Sequence, residues 1–249
     1  MGGSRPEEDG MNWELLAAYG PRMLEGLLVT IELVAISIFF GALLALPIAL
    51  ARMSRFLPIR AIAFAYVYAV RGTPLLAQTF LVYYGAGQFR HELDAIGLWW
   101  LFKDAFFCCV LTFTLNTAAY QAEIYRGAIL AVPRGQIEAA LSLGLRRGQV
   151  FRSVVIPQAF LIALRPLGNE IILMIKGSSV AAIVTVFDLM GATRLAYSRS
   201  FDFQVYLWAA VLYLAMVETL RRLWDRMEDR LTRHLGRAQP SSVSTNSGS

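Results

Sequence analysis

Arg71, Glu170 and Lys176 are ionisable residues that fall inside long apolar runs. Insertion scales put the cost of a central Asp, Lys or Arg at roughly 2.5–3.5 kcal/mol, so each must face protein or water rather than lipid. The chemistry they offer is recognition rather than bond making. A zwitterion needs an anion for its ammonium and donors for its carboxylate. Glu170 answers the first need; Lys176, or the backbone at Ser178 and Ser179, answers the second. Asn169 and Lys176 are seven residues apart and share a helix face, with Glu170 about 100° round on its border. Gly177-Ser178-Ser179 reads as a helix interruption, and broken helices present free backbone groups to a substrate. The competing readings are an internal ion pair or a subunit-interface network and, for Arg71, a structural lock. Asn116 and Glu123 read as glue between helices, and Glu32 as an outward-facing or interface group.

A second constellation lies in a polar, Arg-rich stretch between two apolar runs. Glu138-Ala139-Ala140 is followed by Gly144, then nine residues, then Val154-Val155-Ile156-Pro157. Pro133 offers a helix start, because a first-turn proline loses no needed hydrogen bond. Ile137, Ala140, Leu141 and Leu143 give a short helix over 136–143 an apolar face. Gly144 suits the positive φ found just past a helix end. A second short helix is expected over 145–155, with Arg146, Arg147 and Arg152 on its polar sides and Pro157 marking entry to the next span. Two short helices at an angle make a knob on which another protein can dock.

Nothing points to catalysis. Cys108 and Cys109 are adjacent, which fits neither zinc nor thioredoxin spacing, and they read as small packing residues. No G-x-x-x-x-G-K-[ST] phosphate loop is present, so ATP is not held in that way by this chain.

The elements that carry these residues must be membrane helices. The chain is 57% hydrophobic and 16% charged, which marks a polytopic membrane protein and excludes a soluble enzyme. About 20 apolar residues span the bilayer. Five such runs occur, near 25–51, 61–84, 103–125, 160–186 and 204–220, and in lipid they must be helices. Fifteen basic residues flank one side and six the other, so the positive-inside rule puts the Glu138 segment and the C-terminus in the cytoplasm and the N-terminus outside. The pI of 9.4 therefore reflects topology and not nucleic acid. Residues 1–12 lack the basic region of a signal peptide and are expected as a mobile external tail before an uncleaved first span. The segments 85–97 and 190–203 are expected as external connections, with Trp99 and Trp100 in an interfacial belt. Pro74 is expected to kink the second span. The domain reading is an external tail 1–23, a permease domain 24–222 with its loop at about 126–158, and a cytoplasmic amphipathic and disordered tail 223–249. No internal repeat is visible.

The Glu138–Pro157 spacing resembles the E-A-A-x3-G-x9-I-x-L-P loop of bacterial ABC-importer permeases, with Val154 and Ile156 as mild replacements. Arg71-Gly72-Thr73-Pro74 looks like the R-G-T-P signature of polar amino-acid permeases. The run 119–135 is similar to that family's lead into the loop, and Asn169-Glu170-Ile171-Ile172-Leu173-Met174 to the M-type subunits of histidine, lysine–arginine–ornithine and opine importers. The likeness covers residues 26–222. It implies an all-α, five-helix, type-I ABC importer permease of the bacterial inner membrane, carrying a polar, basic amino acid or an opine. It also implies that Glu138, Ala139, Ala140, Gly144, Arg147 and Pro157 couple to an ABC ATPase. That ATPase would bind the ATP and Mg, and this chain no cofactor. The further implied partners are a sister permease, in a heterodimer or else a homodimer, and a periplasmic or extracellular substrate-binding protein. One departure is notable: many relatives carry Lys-Asp-Ser/Thr where this chain has Lys176-Gly177-Ser178. The missing acid shifts recognition of a substrate cation elsewhere or to the sister subunit. The alternative function is an ion-gradient-driven secondary amino-acid transporter, which predicts repeats and no ATPase dock.

Overall fold

The computed structural model describes residues 13–232, and all of its regular structure there is helical. The tail expected at 1–12, most of the tail expected from 223 onward, and Arg233 and Arg237 lie outside the described residues. The helices are α1 (Trp13–Arg52), α2 (Leu57–Gly72), α3 (Leu75–Gln88), α4 (Arg90–Ala95), α5 (Trp99–Phe102), α6 (Ala105–Leu130), α7 (Arg134–Ser142), α8 (Arg147–Val150), α9 (Ile156–Gly177), α10 (Leu189–Ser200) and α11 (Gln204–Thr232). A π turn, Phe151–Val155, joins α8 to α9, and a 3-10 helix, Ser178–Val184, continues α9.

Helices α1 and α6 form the spine. Small residues let them approach: Ala45 and Ala49 pack on Ala122, and Gly41 meets the side chain of Thr117 so closely that a Cβ would collide with it. Membrane helices gain most of their association energy from such close packing, because lipid is as apolar as leucine. Around this spine Leu33, Val34, Cys109, Phe113, Met174, Ile175 and Val184 make the main core. Both cysteines are buried free thiols, as packing residues should be. Leu28, Phe39, Leu43, Leu81 and Leu207 point outward and exposed, the surface expected against lipid.

Among the described residues, three continuous helical stretches are long and apolar enough to cross a membrane: Trp13–Arg52, Ala105–Leu130 and Arg147–Val184. The second expected span is two helices, not one kinked helix. Thr73 and Pro74 are extended, at φ −116° ψ 146° and φ −63° ψ 137°. Proline forces its predecessor out of the helical region and has no N–H for the ladder, so the helix stops and restarts.

Other expected boundaries also move. Helix α1 begins at Trp13, inside the segment assigned to an external tail, where Trp13 tilts against Trp208 with ring centroids 5.6 Å apart. The segment 85–97 is mostly helix (α3 and α4), and 190–203 contains α10. Asp188 caps α10 by accepting the Gly191 N–H at 2.8 Å, and Leu189, Ala192, Thr193 and Ala196 are buried. Helix α11 runs unbroken past residue 222, with Trp224 packed over Gly168 and its Nε1 donating to the Leu164 carbonyl at 2.9 Å. Within residues 223–232, Trp224, Glu228 and Thr232 are half-buried and the others exposed, the pattern of an amphipathic helix.

Candidate functional site

The knob is built from its own small core. Ala128 from α6, Val132 just past its end, Ala140 from α7, Val150, Val155 and Ala159 are buried together. Pro133 stands at the N-cap, one position before the helix rather than inside it, at φ −57° ψ 128°. At the other end Gly144 takes φ +83°; its N–H reaches the Leu141 carbonyl at 2.9 Å and the Leu145 N–H reaches that of Ala140 at 3.3 Å. This pair of bonds is the Schellman stop, which needs a left-handed residue at that place. Gln149 reaches back to accept the Arg146 N–H at 2.9 Å and starts α8.

The second helix expected over 145–155 is not a separate one. From Arg147 the chain is helical through to Val184. Pro157 lacks the N–H that would bond four residues back, and its ring crowds that carbonyl. The turn before it widens: the Ile156 N–H bonds to Phe151, five residues back. The knob is thus a short helix, a stop, and the near end of a spanning helix with a π turn in it, a feature often found at functional sites.

The knob's surface is mixed. Glu138 and Ala139 are exposed, and among the described residues the Glu138 carboxylate has no ion-pair partner. Leu143 is 83% exposed. Arg147 and Pro157 are exposed as well, whereas Ala140 faces inward at 6% exposure. Ala140 therefore belongs to the packing beneath the surface.

The second group surrounds Glu170. Its carboxylate is buried at 6% exposure and accepts the Thr117 hydroxyl at 3.0 Å. Gln121 donates to Thr117 Oγ1 at 3.0 Å and accepts the Tyr125 hydroxyl at 3.3 Å. A polar string therefore runs through the packed centre, from α9 along one face of α6. Arg71, at the end of α2, interacts electrostatically with Glu170 and lies over the Tyr120 ring, 5.0 Å from its centroid. The break after Arg71 is held by Gln78, whose Nε2 donates to the Val70 carbonyl at 2.7 Å and to Thr73 Oγ1 at 2.8 Å, while its Oε1 accepts from Asn116 at 3.0 Å. Asn116 is thus glue, as its type suggested. Glu123 is glue as well, paired with Arg52 and Arg126, each at 2.8 Å.

Arg71 and Glu170 act on each other electrostatically without an ion pair among the described residues, and the other expected path residues lie apart. Asn169 is exposed and lines a cavity of about 340 Å³ between α9 and α11, with Trp224 and the Arg165–Glu228 pair. Lys176 is exposed and has no ion pair among the described residues. Ser178 is buried with its hydroxyl on the Ile175 carbonyl, and Ser179 bonds that of Lys176. Both side chains stitch the passage from α to 3-10 helix, so the Gly-Ser-Ser run marks a change of helix type rather than the expected interruption. Thr117, Gln121 and Gln78 were not singled out by sequence. Their signal was the i, i+4 recurrence of Thr117, Gln121 and Tyr125 in an apolar run.

Comparison with known proteins bears on both regions. Residues 37–234 match the family described as binding-protein-dependent transport system inner membrane component. The nopaline transport system permease protein NocM of Agrobacterium fabrum is 38% identical over 226 residues, 90% of this chain and 94% of that protein. The octopine transport system permease protein OccM of Rhizobium radiobacter is 37% identical, over 90% of this chain and 89% of the other. Among solved structures, a chain in the crystal structure of an amino acid ABC transporter with histidines superposes with a TM-score of 0.80 at 35% identity. It covers 89% of this chain and 99% of that one.

Proposed function

This chain belongs to the family of binding-protein-dependent transport system inner membrane components, and on that premise we propose how its two polar regions divide the work of import. It is a membrane permease subunit of an ABC importer, a family that works with an ATPase and a substrate-binding protein. Family membership removes the gradient-driven alternative. The substrate we assign is a polar amino acid or an opine, supported by the similarity to nopaline and octopine permeases and to an amino acid ABC transporter.

In this reading the chain crosses the bacterial inner membrane five times, with α2 and α3 together as one crossing and α11 as the last, the N-terminus outside and the knob in the cytoplasm. It has no catalytic site of its own. ATP and Mg are bound by the ATPase, and a sister permease completes a heterodimer. Glu138, Ala139, Gly144, Arg147 and Pro157 form or shape the ATPase dock, with Ala140 holding it to the body. Arg71 and Glu170 line the substrate path. Asn169, Lys176, Ser178 and Ser179 act in this path only through the helix that carries Glu170.

The observation that carries this reading is Leu143, 83% exposed, at the stopped end of the helix whose exposed Glu138 has no ion-pair partner among the described residues. An exposed leucine flanked by charge is the composition of a protein contact, with an apolar centre and a polar rim. Because the chain is helical from Arg147 through α9, closure of two ATPase subunits moves the helix that bears Glu170 directly. The test is mass spectrometry of what co-purifies with the tagged chain, extracted gently from its native membrane. An ATPase and a second permease are expected with the wild type; the Glu138→Lys chain is expected to keep the permease and lose the ATPase. An intact, active complex without an ATPase overturns the reading.

A further inference from the structure

A cavity of about 300 Å³ opens between α1, α2 and α6, lined by Arg52, Phe64, Val67, Tyr68, Arg71 and Glu123. Its polar chemistry is one-sided. The only carboxylate in the wall is consumed: Glu123 Oε1 accepts Arg52 Nε at 2.8 Å, and Oε2 accepts Arg126 Nε at 2.9 Å and Nη2 at 2.8 Å. Arg52 uses only its Nε in that pair. Its terminal nitrogens, and all the nitrogens of Arg71, have no hydrogen-bond acceptor among the described residues. Adding Glu170, whose charge acts on Arg71, still leaves three arginines against two acids. The remaining wall is Val67, Gly72 and two aromatic rings: Phe64 and Tyr68 stack 5.7 Å apart, and Arg52 lies over Phe64 at 4.8 Å, which fixes where its guanidinium points.

We infer that this cavity is an anion station on the substrate path, where Arg71 and the free end of Arg52 take a carboxylate. This rests on the import of amino acids or opines proposed above and narrows it. Planar guanidinium groups match a carboxylate two bonds at a time, and free donors of this kind favour an anionic ligand. A volume near 300 Å³ is at the small end of ligand sites and fits a compact metabolite. An ordinary amino acid brings one carboxylate to the two guanidinium groups, and Glu170 lies outside this wall, buried and bonded to Thr117. A substrate with a second carboxylate arm uses the station as well. The class favoured is therefore an N-carboxyalkyl amino acid, an opine, over the amino acid that lacks that arm. A lipid phosphate presents the same chemistry to Arg52 and Arg71.

The test is ATP-driven uptake by the complete transporter, with its ATPase, sister permease and binding protein, in vesicles of phosphatidylcholine alone and of phosphatidylcholine with phosphatidylglycerol. The probes are octopine and arginine. A charge-assisted bond is worth about one order of magnitude or more in affinity. The wild type is expected to prefer octopine, and Arg71→Gln to raise the octopine KM about tenfold more than that of arginine. Arg71→Lys should restore part of the preference, which a merely broken fold would not allow. No octopine preference, or one that Arg71→Gln leaves intact, overturns the station while measured arginine uptake leaves the substrate class standing. An Arg71→Gln defect confined to the phosphatidylglycerol vesicles and equal for both probes assigns the cavity to lipid and overturns it too. Uptake of neither probe, by a complex whose ATP hydrolysis still responds to its binding protein, overturns the substrate class and the station with it.

Discussion

The knob joins the ends of α6 and α9, and the string of Glu170, Thr117 and Gln121 joins the middles of the same two helices. The knob turns its polar groups and one leucine outward over a small core of Ala140, Val150 and Val155. The string turns its polar groups inward, each satisfied by another. In the knob a side chain is free where, in the proposed reading, the ATPase docks. In the string a side chain is held because water and lipid are excluded, and an unpaired polar group there costs about 1–3 kcal/mol. Change at the knob should thus sever communication and spare the fold. Change along the string should damage transport or packing and spare the dock.

The largest expected effect tests the knob. Glu138→Lys should weaken ATPase association at least about thirtyfold, the scale of an interface hot spot, and bring uptake to background with thermal stability unchanged. Co-purification and a melt of the detergent-solubilised chain check both halves. A fall in melting temperature would break the contrast between the regions. Next, Glu170→Gln keeps an acceptor for Thr117 but removes the charge. Uptake should fall about tenfold or more, as for a lost charged contact, with the ATPase still bound; normal uptake would remove Glu170 from the path. Third, Gly41→Val drives a side chain into Thr117, where overpacking costs about 1–3 kcal/mol. A melt should show the loss, whereas Gly135→Ala in the knob, with open space around it, should change little.

The smallest expected effect lies outside the spans, at the cap of α10. Burial raises the Asp188 carboxyl from 3.8 to about 6 against the pull of its backbone donors. The folded chain therefore holds this proton more tightly than the unfolded one. The stabilisation is full below pH 3.8 and is lost as the pH rises through about 6. Between pH 7 and pH 5 stability should rise by about 1 kcal/mol, and Asp188→Asn, which still caps, should flatten that rise. Thermal melts at the two pH values decide it.

How much was readable from sequence differs between the regions for the same physical reason. The knob is local. Gly144 announces its left-handed turn and Pro157 its disturbed helix, since both act on their own backbone. The two details missed there, Pro133 as cap rather than first residue and the fusion of the second helix with α9, are shifts of one boundary. The string is tertiary. Periodicity put Asn169 and Glu170 on neighbouring faces, but whether a face meets α6 or α11 depends on which helix packs there. Glu170 met Thr117, and Asn169 met a cavity beside Trp224. Thr117 and Gln121 were passed over because one polar residue in an apolar run looks like any other until its partner is known. Helix α10 was hidden because Asp188 and a short stretch of small residues resemble a loop until α1 offers Thr30 to bind the Leu189 N–H at 3.0 Å.

The widened turn at Phe151–Val155 also sets an angular phase. One extra residue in a helix rotates everything before it by roughly 100° relative to everything after it. The direction in which Arg147 looks, in the same helical run, is therefore keyed to the direction of Glu170 by a count of residues. Removing one residue from the turn would leave both regions internally whole and aim them about a quarter-turn apart. A transporter so altered would assemble its parts and mistime them, like a clock whose hand has been refitted one tooth round.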